Sequence, residues 1–131
     1  MIGLDTNVLV RYIMQDDPKQ SPKANRLIDA FTPERPGFVP LVAIVELVWV
    51  LSSSYDLDRA QVAQALELLL RGKELVVDRA GLVLQALARF RSGGADFADC
   101  LIEGIARDAG YSATMTFDVG AVKAAGMKLV A

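Results

Sequence analysis

The sequence predicts an α/β protein: a three-layer α/β/α sandwich around a central, mostly parallel sheet of about five strands. Three observations lead there. Short apolar runs alternate with longer helical patterns along the chain. Helices rather than hairpins separate the strands, and parallel neighbours need crossover connections. A 53% hydrophobic content over 131 residues supplies one ordinary core without disulfide or metal staples. No linker, repeat or low-complexity tract intervenes, so one domain over 1–131 is expected.

The elements follow in order. Ile2 to Leu4 reads as the first strand, and a helix from about Asn7 to Met14 stops before Asp16-Asp17-Pro18, because proline disfavours a helical residue ahead of it. Ser21 is a candidate N-cap with Pro22 at the first helical position, for a helix to about Phe31 that Pro33 and Pro36 terminate. Phe38-Val39 is a short strand, and Pro40 opens a helix over Leu41 to Leu51. Asp58 and Gln61 are spaced as a cap for a helix over Arg59 to Leu70, with Gly72 suited to a left-handed C-terminal position. Glu74 to Val77 is β-rich and leads through Asp78 into a helix over Arg79 to Arg91, where Leu82, Ala86 and Phe90 recur at helical spacing. Gly93-Gly94 is a turn. A helix from Asp96 to Ala109 ends at Gly110, a strand covers Ser112 to Phe117, a helix spans Val119 to Ala125, and Met127 to Val130 is the last strand.

Composition narrows the chemistry. The single Cys100 excludes an internal disulfide, and it reads as a small core residue because no base lies beside it. The absence of histidine excludes His/Cys zinc sites and histidine acid/base catalysis. Any metal must be held mainly by oxygen, which suits Mg²⁺ or Mn²⁺. The N-terminus lacks a basic leader region, and no apolar stretch reaches the roughly 18 residues of a spanning helix, so a cytoplasmic protein with no membrane association is expected. A net charge of -2 gives no global basic field, so any contacts to RNA must be local.

Four carboxylates stand out: Asp5, Glu46, Asp99 and Asp118 each end or interrupt an apolar segment. A buried carboxylate normally has a partner, and no basic residue lies within four positions of Glu46 or Asp118. Asp5 and Asp118 fall at the carboxyl ends of their strands, where ligands gather in open parallel sheets, and Asp99 and Glu46 would join them from early helical turns. Each has a plainer reading. Asp5 and Asp118 also suit helix caps, and Asp96, three residues before Asp99, reads mainly as a cap while remaining a further candidate ligand. Glu103, one turn beyond Asp99, reads as an exposed carboxylate. Trp49, Tyr12 and Phe97 are core or dimer contacts, and no role is assigned to the Asp16-Asp17 pair.

These residues carry a family resemblance. Leu4-Asp5-Thr6-Asn7-Val8-Leu9 with the trailing Arg11-Tyr12 and Asp16-Asp17-Pro18, Val45-Glu46-Leu47, Asp96-Phe97-Ala98-Asp99-Cys100-Leu101-Ile102 and Thr116-Phe117-Asp118 together resemble PIN-domain ribonucleases, most closely VapC-type toxins of toxin-antitoxin pairs. The resemblance spans nearly the whole chain. It implies a metal-dependent endoribonuclease in which Asp5, Glu46, Asp99 and Asp118 bind Mg²⁺ or Mn²⁺, with Thr6, Asn7 and Thr116 as supporting polar residues. It also implies an RNA substrate, a cognate antitoxin and a homodimer. Thr6 and Asn7 equally suit backbone capping at a helix start. Gly120, just after Asp118, departs from the usual family pattern and weakens the helix that follows.

The alternative is a noncatalytic, Mg²⁺-binding receiver-like signalling module. It is disfavoured because Asp5 is followed by Thr6-Asn7 rather than a second acid, and no lysine occupies the matching late position. A dehalogenase-type phosphatase lacks its second aspartate for the same reason.

Overall fold

A computed structural model describes residues 2–131. The elements run β1 (Ile2–Gly3), α1 (Thr6–Met14), α2 (Gln20–Asp29), β2 (Gly37–Val39), α3 (Leu41–Ser53), α4 (Arg59–Arg71), β3 (Leu75–Val77), α5 (Ala80–Ser92), α6 (Phe97–Asp108), β4 (Met115–Thr116), α7 (Val119–Ala125) and β5 (Lys128–Leu129). The α/β class and the expected order of elements hold. Every strand pair is parallel: β1-β2-β3 form one ladder and β4-β5 another. The chain forms two compact units, Met1–Ala80 and Gly81–Ala131. No helix is long and apolar enough to cross a membrane among the described residues.

In the first unit the register Ile2↔Gly37↔Leu75 aligns the three strands, and Leu4 N–H donates to Phe38 O at 2.8 Å just beyond β1. All three strands therefore end on the same side, and each delivers the chain toward a helix. Leu9, Val39, Ile44, Leu47, Leu51, Leu66 and Leu69 are fully buried. The spacing of Ile44, Leu47 and Leu51 gives α3 one inward stripe. Its other face is open: Val42 and Trp49 are 77% and 67% exposed, with Glu46 exposed between them.

In the second unit β4 and β5 pair through Met115↔Lys128 and Thr116↔Leu129. Phe90 and Phe97 meet edge to face, with ring centroids 5.9 Å apart. Cys100 and Phe97 are core residues. Val83, Ala86, Leu87 and Phe90 form the buried stripe of α5, so the stripe is centred one residue past the expected Leu82.

Several local expectations need correction. Ser21 is not the cap of α2: Asp17 Oδ1 accepts the Lys19 and Gln20 N–H groups at 2.9 and 2.8 Å, so the helix starts earlier, while Ser21 Oγ donates to Arg11 O. Ser21 is already inside the helix, and the two bonds that Asp17 accepts hold its carboxyl below its usual range. Gly72 is extended (φ -74°, ψ 141°) rather than left-handed, and the chain turns at 73–74 before β3. Arg79 is in the left-handed region (φ 50°) and cannot begin α5, which starts at Ala80. The Asp58–Gln61 pair, by contrast, forms the full reciprocal capping box.

Gly37 supplies a close approach that no side chain would allow. A Cβ there would lie within 3.0 Å of the ring of buried Phe31, which must shift to admit it. Gly37→Ala is expected to destabilise the protein by about 1–3 kcal/mol, as over-packing typically does. Paired thermal melts of the two proteins measure this as a Tm lowered by several degrees.

Candidate functional site

Asp5 sits two residues past β1, where the strand hands over to α1. It is the N-cap of that helix, with Oδ1 accepting the Thr6 N–H at 2.7 Å. Asp118 occupies the equivalent place after β4: its Oδ1 accepts Gly120 N–H at 2.8 Å and Ala121 N–H at 3.4 Å, and its own N–H donates to Thr116 Oγ1 at 3.0 Å. In both residues capping occupies only Oδ1. The cap fixes the carboxylate while Oδ2 keeps its acceptor capacity, so the capping and metal-binding readings are compatible. Gly120 serves this arrangement, because a Cβ there would lie 3.1 Å from Asp118 Oδ1.

The burial premise does not hold. Asp5, Glu46 and Asp118 are exposed and Asp99 is only partly buried, so none of them bears the penalty of a sealed carboxylate. Glu46 is explained by its place on the open face of α3. What remains unusual is their lack of cations: none of the four forms an ion pair among the described residues.

In the first unit Asp5 and Glu46 line one open cavity of about 520 Å³ together with Thr6, Asn7, Arg11 and Tyr55. Thr6 itself is buried, and Asn7 is exposed. Asp78, not singled out from sequence as a polar anchor, accepts the Leu41 N–H on Oδ2 at 3.3 Å and so caps α3, whose own cap residue, Pro40, has no side-chain acceptor. Its position directly after β3 was the available signal.

In the second unit Asp96 is the N-cap of α6, accepting Ala98 N–H at 3.1 Å, in line with its capping reading. Asp99 follows in the first turn. Burial pushes its carboxyl above the usual range, and the negative fields of Asp96 and then Asp118 push the same way. Glu103 is not the exposed carboxylate expected. Its side chain is 14% exposed and takes Arg89 Nη1 at 2.7 Å and Arg107 Nη2 at 3.4 Å. Arg89 also donates to Ala125 O, which joins α5, α6 and the end of α7.

These donors suit a hard cation. All are oxygen, and the mutual repulsion at Asp99 is of the kind a divalent ion reverses. Among the described residues no three His, Cys, Asp or Glu side chains group closely enough to hold an ion by themselves.

The model of one family, described as the PIN domain, matches residues 2–127. No curated protein matches the chain.

The raised pKa of Asp99 has a definite sign. Its protonated form is favoured in the folded state, so the contribution to stability is present below the unfolded value near 3.8 and is lost as pH rises through the folded value. In EDTA, Asp99→Asn should therefore raise Tm at pH 7, and the gain should shrink as the pH is lowered toward the unfolded value. Melts across that range check it. A gain independent of pH would exclude the carboxylate charge as its source.

Proposed function

The chain belongs to the PIN-domain family, and we propose that it is a metal-dependent endoribonuclease, the toxin component of a toxin-antitoxin pair. PIN domains are generally metal-dependent nucleases. The observation that carries the reading further is the state of the acidic residues. Asp5 and Asp118 are each oriented through one carboxylate oxygen with the other uncommitted, and Glu46 and Asp99 have no cationic partner among the described residues. We assign Asp5, Glu46, Asp99 and Asp118 as the acidic ligands of Mg²⁺ or Mn²⁺, with Asp96 mainly a cap.

When bound, a divalent ion acidifies its water and stabilises charge on phosphodiester oxygens, supplying at neutral pH what a histidine would otherwise provide. The chain's own residues prepare for this. Thr6 N–H holds Asp5, Thr116 Oγ1 with the α7 N–H groups holds Asp118, and Asn7 offers an exposed amide at the cavity of Asp5 and Glu46. The exposed Val42 and Trp49 on α3 support a second copy of the chain as partner. The antitoxin and the RNA substrate rest on the sequence motifs.

Wild type should cleave a mixture of transfer and ribosomal RNA with Mg²⁺ or Mn²⁺, and EDTA should abolish cleavage. Asp5→Asn, Glu46→Gln, Asp99→Asn and Asp118→Asn should each lose at least the roughly 10- to 100-fold that even outer-shell changes cost metal sites. Cleavage that persists in EDTA, or in all four variants, would refute the assignment.

A further inference from the structure

Among the described residues, Arg11 is the one basic side chain lining the cavity of Asp5 and Glu46. It also lines a second cavity, of about 260 Å³, with α1 and α2 residues that include Asn7, Gln20 and the exposed Lys23. Asn7 and Arg11 are common to both, so the two spaces adjoin at this pair.

The Arg11 guanidinium is held through two of its three nitrogens. Nε donates to Gln20 Oε1 at 2.7 Å, and Nη1 donates to the Tyr55 hydroxyl at 3.2 Å and to Asp16 Oδ1 at 3.5 Å. The Tyr55 hydroxyl in turn donates to Asp16 Oδ2 at 2.8 Å, which raises the tyrosine's pKa and keeps it a neutral donor. Ser21 Oγ anchors the backbone by donating to Arg11 O at 2.9 Å. Nη2 makes no hydrogen bond or ion pair among the described residues, and the side chain is 31% exposed. Holding the loop 15–19 and Tyr55 together needs only Nε and Nη1. The unpartnered Nη2 of this immobilised guanidinium is instead prepared for an anion, because the ordering of the side chain is already complete.

We infer that Arg11 is a substrate-positioning residue: its Nη2 takes a backbone phosphate of single-stranded RNA beside the Asp5–Glu46 cavity, and Lys23 meets the strand in the adjoining groove. This rests on the proposed nuclease function. Gln20, Asp16 and Tyr55 then act through Arg11 by fixing its plane. With a net charge of -2, the chain has no general attraction for a polyanion, and two carboxylates share the cavity, so placement of the strand depends on such local cations.

Steady-state cleavage of a single-stranded RNA oligonucleotide across a salt series, with saturating Mn²⁺, tests it in wild type, Asp5→Asn, Arg11→Gln, Arg11→Lys and Lys23→Gln. Arg11→Gln should raise KM about tenfold with kcat nearly kept, the effect of one charge-assisted phosphate contact. It should also flatten the slope of log(kcat/KM) against log[salt] by about 0.7, one phosphate contact on a single strand. Arg11→Lys should restore the slope and only part of KM, since an ammonium lacks the planar fork. Lys23→Gln should flatten the slope with Tm unchanged, which keeps the test valid if Arg11→Gln melts early. Wild-type KM and slope in both Gln variants, with Asp5→Asn inactive, would overturn the inference and leave the nuclease reading standing. Wild type without metal-dependent cleavage would overturn both.

Discussion

A helix that follows directly from a parallel strand begins with N–H groups that have no partner, and the placement of acidic residues in this chain answers that constraint. Asp5 meets it for α1, Asp118 for α7, and Asp78 reaches from the end of β3 to serve α3. Because the parallel strands β1, β2 and β3 of one ladder end on one side, Asp5 and Asp78 are delivered to the same edge of the first unit by topology before any chemistry is asked of them. An aspartate in this role is pinned by one oxygen and keeps acceptor capacity on the other. Structure and candidate chemistry thus share one side chain, and an Asp→Ala change would damage both. Asp→Asn keeps the capping oxygen and removes the charge, which is why amide substitutions isolate the chemistry.

Asp99 and Glu103 show how electrostatics separates a candidate ligand from a strut. They lie one turn apart on α6. Glu103 is neutralised by Arg89 and Arg107 and ties neighbouring helices together, so it has little capacity left for a cation. Asp99 instead faces the fields of Asp96 and Asp118, which push its carboxyl toward the protonated form. A divalent ion placed beside these carboxylates would relieve that repulsion. The two carboxylates differ in their cross-helix partners, which the sequence near them does not contain.

The same distinction explains what was legible. Helix ends governed by local chemistry were readable: Asp58 with Gln61, Asp96 as a cap, Gly110 as the stop of α6, and the whole of α7. The alternation of elements and their parallel pairing followed from periodicity. Features set by a remote partner were not. The exposure of Glu46 depends on which stripe of a uniformly apolar helix turns inward, and no polar residue marks it. The capping of α3 depends on Asp78, thirty-seven residues further on. At α2 the helix begins at Gln20, so Ser21 falls inside it, and Asp17 holds the N–H groups of Lys19 and Gln20.

Asp16 and Asp17 illustrate how adjacent identical residues divide their labour. Asp17 turns toward the backbone and starts α2, whereas Asp16 turns toward Arg11 and Tyr55. Its pairing with Arg11 is long, at 3.5 Å, and partly exposed, so it contributes little stability as an ion pair. Its larger effect is directional. With Tyr55 bridging them, the carboxylate fixes the guanidinium plane without saturating it, and an arginine held that way keeps donors for a further anion. Under the proposed function, one oriented cation beside the acidic cavity would place a polyanion that the chain's net charge of -2 does not attract.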